Sequence, residues 1–422
     1  MSHAAYIEDD NVLSLSDYTV ACICPLGVEC AAVEAMLDEI HEPLPTGRDQ
    51  NAYTFGRLGP HNIIVAVMPE TGNNAAATTA TQLLNDFPSF RFGLLVGIGG
   101  GVPGSKESGN DVRLGDVVVS QATGAFGGVV QYDLGKKLFD GNFQRTGHLN
   151  KPPEVLSANV KRLQAWHYRS PSKMNSYLAE MTRRYPKMQE LFQHPGLERD
   201  ELFCSDYAHQ GGSSCEECDR EQTVPRPPRR DTDPRIHYGT IGSANMVVKD
   251  AVTRDQLKRD TGVLCVEMEA AGLMDTFPCL VIRGICDYAD SHKNKQWQPY
   301  AAATAAAYMK ELLMIIPHQQ VKQTVAAREN TKAALEAVLN TIEGPIRKTE
   351  DQVQYMYKRQ EETQEAEILS WVSEIPYQRH YKTALDGLLP GSGRWLFENP
   401  EFAKWRESDQ SGMFWLCGKR EY

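Results

Sequence analysis

Apolar residues in the first third of the chain follow two periods. Between Tyr18 and about Phe139, unbroken apolar runs alternate with segments whose apolar positions recur every three or four residues, as buried strands alternating with helices would. "YTVACICPLG" (18–27) reads as a buried strand and "VECAAVEAMLDEI" (28–40) as a helix. "NIIVAVMPETG" (62–72) is a second strand, and "NAAATTATQLLNDF" (74–87) a helix rich in small residues. "FGLLVGIGGGVPG" (92–104) is a third strand, ending in glycines, and "LGDVVVSQA" (114–122) a fourth. Continuous apolar strands alternating with helices imply an α/β domain whose mostly parallel sheet is covered on both faces.

The pattern breaks from about Asp140 to Arg235. "RRYPKMQELFQHPGLERDELF" (183–203) reads as polar helix and "GGSSCEECDREQTVPRPPRRDTDPR" (211–235) as exposed loop. The α/β pattern then resumes in "HYGTIGSANMVV" (237–248), "GVLCVEMEAAGLM" (262–274) and "CLVIRGICD" (279–287), and a helix over 299–316 closes the domain. Segment 140–235 is therefore expected to be an insertion. Beyond Pro317 the sequence is helical, charged and poorly amphipathic, with a break predicted at Gly344-Pro345. The end is rich in rings: Trp371, Trp395, Phe397, Phe402, Trp405, Phe414 and Trp415. The expected organisation is a loose tail 1–17, a main domain 18–316, a helical linker 317–365 and a terminal segment 366–422.

Length and composition limit the function classes. The 422 residues allow two to three domains at roughly 100–200 residues each. A net charge of −11 argues against nucleic acid as a partner of the whole chain. There is no run of eighteen apolar residues, so no membrane span is expected. The first residues, "MSHAAYIEDDNVLSLSDY", lack the basic start and apolar core of a secretory signal. The ten cysteines lie mostly in apolar runs such as "ACIC" and "VLCVEM"; they read as buried reduced thiols, and a cytoplasmic location is expected.

Candidate chemistry gathers at strand ends. Gly99, Gly101 and Gly104 satisfy G-x-G-x-x-G, but "SKESGNDVR" after them is no amphipathic helix, so a dinucleotide is not expected. Nor is there a G-x-x-x-x-G-K-[ST] phosphate loop, and no cofactor is expected. Gly99 and Gly100 would instead let a ligand lie directly on backbone amides, or simply make a tight turn. Glu267 and Glu269 stand at a strand's carboxyl end. In extended chain both would face one pocket, with Met268 turned to the other side. A carboxylate there can accept two hydrogen bonds from a vicinal diol, which makes ribose a natural ligand; a helix-capping role is the plainer alternative. Asp287 holds the matching place on the next strand. In a largely apolar pocket it could carry a proton and act as a general acid, or else be an ordinary cap or salt-bridge aspartate. Glu29, after the first strand, is a third candidate. Cys215 and Cys218 form a lone C-x-x-C near Cys204 and His209. Those four could close a zinc site, but one such pair in a polar loop is weak support and no metal is expected.

"VGIGGG", "GDVVVS", "VEMEAAG" and "VIRGICDYAD" together resemble the nucleoside phosphorylase and methylthioadenosine/adenosylhomocysteine nucleosidase superfamily, over roughly Tyr18 to Ile316. The likeness is strongest to the fungal subgroup found at the N-terminus of NOD-like (NACHT) receptors. It implies a three-layer α/β/α fold with a central mixed, mostly parallel sheet, followed by a helical extension. It implies a purine nucleosidase of adenine nucleosides or nucleotides, ATP among them, with a defence role and a homo-oligomeric assembly. Asp287 would protonate the purine, Glu29 would activate the attacking water, and Met268 and Glu269, with Glu267 beside them, would hold the ribose. Gly99, Gly100, Asn245 and Val247 are assigned to the same substrate pocket. Phosphorylases of the family hold phosphate with an arginine and a hydroxyl on the third strand. Leu95 and Ile98 stand there in this chain, so hydrolysis is favoured over phosphorolysis. Arg113, Lys249, Arg254, Lys293 and Lys295 remain as replacement phosphate ligands. A non-catalytic nucleoside sensor on the same fold is the other reading. The terminal segment resembles the linker before a NACHT domain and reaches Cys417-Gly418-Lys419 without a phosphate loop, which implies an effector half whose tail is expected to tune assembly or autoinhibition.

Overall fold

The strands form where the apolar runs are too continuous for a helix to bury on one side. In the computed structural model, residues 13–46, 51–104, 111–139, 143–372 and 394–409 are described, with isolated positions elsewhere in the C-terminal stretch. Most of the expected tail, together with Phe414, Trp415 and the segment from Cys417 onward, lies outside the described residues.

In chain order the elements are β1 Val20–Cys24, α1 Gly27–Met36, β2 Glu39–Ile40, β3 Ala52–Leu58, β4 His61–Val67, α2 Asn73–Asp86, β5 Phe92–Gly101, β6 Val117–Ser120, β7 Val129–Gln131, β8 Gly135–Lys137 and β9 Phe143–Arg145. Then follow α3 Glu154–His167, α4 Met174–Arg184, α5 Pro186–Phe192, β10 Ile236–Gly239, β11 Ile241–Ser243, α6 Ala251–Thr261, β12 Cys265–Glu267, β13 Cys279–Asp287, α7 Gln298–Ile315, α8 His318–Gln323 and α9 Ala327–Val372.

The main sheet runs β10-β6-β13-β5-β1-β4-β3-β2, with β12, β11 and β7 branching from the far end of β5. β1 pairs in parallel with β4 and β5, and β13 with β5, whereas β13–β6, β3–β4 and β12–β5 are antiparallel. The sheet is thus mixed and mostly parallel, with helices on both faces, a three-layer α/β/α domain. Side-chain alternation on the strands makes two cores. Val20, Cys22 and Cys24 point into the layer that holds α1, α3 and α7, while Ala21 and Ile23 point into the layer under α2.

β3 was not anticipated. Its sequence, "AYTFGRL", mixes polar and apolar residues because it is an outer strand joined to β4 by a tight turn. Segment 140–235, expected as an insertion within the domain, contributes to its core. Leu156, Val160 and Leu163 of α3, Met174 and Met181 of α4 and Phe192 of α5 are all buried in the second core. α7 is buried along nearly its whole length, which its small alanines allow: Gly284 of β13 lies so close to the Ala301 carbonyl that no side chain fits between them.

The chain divides into two compact units, Met1–Glu336 and Ala337–Tyr422. The first extends past the expected boundary at 316 because Val321, Ala326 and Ala327 are buried. α9 continues through Gly344-Pro345, where a break was expected; a proline removes one amide donor, which a helix this long can absorb as a local defect. From Arg347 to Trp371 every α9 residue is exposed. Further on, Phe397, Phe402 and Trp405 pack against one another.

Candidate active site

The carboxyl ends of β1, β5, β12 and β13 converge on one cleft. Glu29, Ile98, Gly99, Gly100, Glu267, Met268, Glu269, Arg283 and Lys293 line it, with Tyr132, Met246 and Val247 on the opposite wall. Three acids from two separate segments, Glu29 after β1 and Glu267 and Glu269 at the end of β12, therefore meet, and what holds them together is Arg283. Arg283, in the middle of β13, is 1% exposed. Its Nη2 bonds Glu267 and reaches Glu269 Oε2 at 3.0 Å; its Nη1 reaches the Ile98 carbonyl at 3.3 Å and lies 3.9 Å from Glu29 Oε1. Gly97 is the residue that permits this, because a Cβ there would collide with both the Arg283 guanidinium and the Glu29 carboxylate. Truncating one member of a buried ion cluster leaves uncompensated charge. Arg283→Met is accordingly expected to destabilise the fold by about 3 kcal/mol, read as a lowered urea midpoint with unchanged slope.

Each acid has a distinct environment. Glu29 accepts the amides of Leu26 and Ile98, both at 2.6 Å. Burial pushes its carboxyl up to about 7, against the opposing pull of Arg283 and those two amides. Glu267 accepts the amides of Glu269 and Ala270 at 3.0 Å in addition to Arg283. It therefore caps the short turn Ala270–Gly272, the plainer of its two expected roles. Glu269 accepts from Gly72 N at 3.2 Å and from Arg283, which leaves acceptor capacity facing the cleft. Burial raises its pKa, with Arg283 opposing and Glu267 adding to the shift. Met268 also lines the cleft rather than turning away, because β12 ends at Glu267 and Glu269 leaves the extended conformation at ψ −32.

Asp287 lies directly behind the glycine wall. A β-bulge at the end of β13 shifts the register so that Asp287, not Cys286, pairs with Gly100. A Cβ on Gly100 would come within 2.9 Å of Asp287 Oδ1. The surroundings are not the apolar pocket expected. Ala289 N donates to Oδ1 at 2.9 Å, and Lys293 Nζ sits 3.1 Å from Oδ2. Burial works against the Lys293 charge, yet Asp287 holds its pKa above the ordinary lysine value.

The remaining candidates separate. Val247 lines the cleft mouth, but Asn245 is exposed and does not line it; its side chain receives Asn73 N at 2.9 Å and its backbone amide donates to Asp133. Of the candidate cations only Lys293 reaches the cleft. Arg113 is tied to Asp111 and the Pro227 carbonyl, and Arg254 to Asp255 and the Tyr288 carbonyl, both in buried networks outside it. Lys249 and Lys295 are exposed. His209, Cys215 and Cys218 cluster elsewhere, without Cys204.

A mixed sheet clad by helices, with a carboxylate-lined cleft at the strands' carboxyl ends, is the architecture of a nucleoside-handling α/β class. The phosphorylase superfamily model matches residues 19–314, and the chain belongs to that superfamily. It is 43% identical over 330 residues to a nucleotide-binding leucine-rich repeat (NLR)-like protein of Hyaloscypha variabilis, a match covering 76% of this chain and 32% of that protein. It is 26% identical over 261 residues to the ATP nucleosidase Cap17 of Escherichia coli, covering 60% of this chain and 42% of the relative. The chain thus spans less than half the length of either. Among solved structures, S-adenosylhomocysteine nucleosidase from Streptococcus pyogenes aligns with TM-score 0.46 at 19% identity, over 71% of this chain and 98% of that one. Futalosine hydrolase of Helicobacter pylori aligns with TM-score 0.44 at 18% identity, over 71% and 99%.

Proposed function

We propose that the chain is an N-glycosidase that hydrolyses the bond between adenine and ribose in a nucleoside or nucleotide. The observation that carries this reading is the Glu29–Arg283–Glu269 cluster beneath Gly97 and Ile98, facing Asp287 across Gly100. Breaking an N-glycosidic bond leaves positive charge on the sugar and negative charge on the base. Asp287 donates its proton to the purine, and Lys293 with the Ala289 amide holds the carboxylate left behind. Glu269 accepts the ribose hydroxyls, and Glu269 and Glu29 stabilise the cationic sugar. Glu29, with its pKa near neutrality, then takes a proton from the attacking water.

Hydrolysis is preferred to phosphorolysis on charge grounds. Among the described residues lining the cleft the cations are Arg283 and Lys293; the first is matched by three carboxylates and the second by Asp287. Arg283 is therefore not left to neutralise inorganic phosphate, and Lys293 is engaged by Asp287 whenever that acid is ionised. The ATP nucleosidase relative supports adenine nucleotides as substrates, and the likeness to part of an NLR-like protein is compatible with a role as one segment of a receptor, for which a defence setting is our reading. Met246 and Val247, about half exposed at the mouth, suit coverage by a second copy of the chain. The nine described cysteines are all free, as a reducing cytoplasm would keep them, and no described helix is long and apolar enough to cross a membrane.

The test is incubation of the full chain with ATP, AMP, adenosine, inosine and methylthioadenosine, with and without phosphate, followed by chromatography of free base. Adenine released without phosphate is expected; release only when phosphate is added would make the protein a phosphorylase. Glu269→Gln is expected to shrink the preference for ribosyl over 2′,3′-dideoxyribosyl substrates. A mutant that discriminates as strongly as wild type would remove the diol from Glu269.

A further inference from the structure

A second cluster of donors lies outside the cleft, on the segment between α5 and β10. One ligand atom each from His209, Cys215 and Cys218 lies within 4.8 Å of the other two. Tetrahedral zinc, with Zn–S of about 2.3 Å and Zn–N of about 2.0 Å, needs donors about 3.3–3.8 Å apart, so a contraction of about 1 Å suffices. The backbone is already arranged for it: Cys218 N donates to the Cys215 carbonyl at 3.2 Å, closing the C-x-x-C turn. His209 Nε2 faces the Ser214 carbonyl at 3.1 Å. With the proton on Nε2, the other ring nitrogen keeps its lone pair, the arrangement by which backbone carbonyls orient ligating histidines.

An independent observation comes from the other side. His292 is 7% exposed, and neither of its ring nitrogens has a hydrogen-bond partner. A buried imidazole without partners is costly unless something absent from the protein atoms completes it. The ring stacks on Phe203 at 4.0 Å and meets His209 edge-on at 5.6 Å between centroids. The His292 carbonyl already receives Cys215 Sγ at 3.6 Å. Asp290 Oδ1, 3.7 Å from His292 Nδ1, stands where an orienting carboxylate belongs.

We propose that His209, Cys215 and Cys218 bind a structural metal ion of the zinc class, with His292 turning in as the fourth ligand. Two thiolates and two neutral imidazoles cancel the charge of a divalent ion, so the site can be buried without a counter-ion, and binding displaces the two thiol protons. The ion ties segment 204–218 to the loop that follows Asp287. Lys293, the partner of Asp287, is the next residue after His292. The metal thereby fixes the loop that carries Lys293 and does no chemistry on substrate.

The experiment uses the full chain with reduced thiols, titrated separately with zinc and with cobalt. About one zinc per chain is expected, and cobalt should give the absorption of thiolate-to-metal charge transfer. That spectrum needs no variant, so it decides the case even if substitutions impair folding. Wild type that takes up neither ion overturns the site. Cys215→Ser and Cys218→Ser are expected to abolish stoichiometric binding, while Cys204→Ser keeps it; loss in Cys204→Ser equal to that in the others would overturn the ligand set. His292→Ala is expected to weaken zinc at least tenfold, and unchanged affinity would remove His292 from it.

Discussion

Asp287→Asn is expected to fold as wild type does and to lose two to four orders of magnitude in base release, about the full contribution of a positioned general acid. Asparagine nearly preserves the shape, and its amide oxygen can still accept from Ala289 N, so the bulge at the end of β13 should persist. What it cannot do is deliver a proton to the purine. The substitution also leaves Lys293 unpaired beside the base. A substrate whose leaving group needs no protonation, such as a p-nitrophenyl riboside, should therefore be cleaved by the variant with a much smaller loss. Base release from the natural substrate within threefold of wild type would remove Asp287 from catalysis.

Glu29→Gln is expected to cost a similar two to four orders of magnitude, with a different signature in pH. A carboxyl raised to about 7 is a base only when ionised, so kcat/KM of wild type should climb as pH rises through 7. The glutamine variant should lack that limb in whatever activity remains. Stability should move the other way. Because the folded-state pKa lies above the ordinary 4.5, the native protein holds a proton between about pH 4.5 and 7 that the unfolded chain has released. Stability then falls as pH rises across that window. Denaturant midpoints at pH 5 and pH 7.5 should differ more for wild type than for Glu29→Gln. A flat kcat/KM profile in wild type would count against Glu29 as the base.

Much of this was readable in the sequence because burial and periodicity coincide. β1, β4, β5 and β13 are apolar on both faces, and such strands read clearly. β3 did not, because an outer strand mixes polar and apolar residues and resembles a loop. α3 was missed for the opposite reason: its buried Leu156, Val160 and Leu163 make a narrow stripe among polar neighbours. Glu29, Glu267 and Glu269 in the cleft, and Asp287 behind its glycine wall, stood out by their places at strand ends. Arg283 was in plain view inside "CLVIRGICD" and was passed over. An arginine within an otherwise apolar buried strand requires anionic partners, and that rule alone would have demanded the acids gathered around it. The bulge that aims Asp287 leaves no trace in residue type. Glu267 and Glu269 do face one cleft and share Arg283, but Met268 lines it too, because the backbone leaves the extended conformation after Glu267.

The floor of the cleft rests on β5 and β13, which have paired strands on both sides. Amides there exchange with solvent only when the whole sheet opens, so the slowest-exchanging part of the protein is also the part that carries Glu269's anchor and Asp287. The wall formed by Met246 and Val247 is exposed and belongs to the opposite end of that scale. A trigger with only a few kcal/mol to spend can therefore rearrange the mouth but not the acids beneath it. If the cleft acts as proposed, activity would be switched by admitting or excluding the substrate, with the acids assembled at all times.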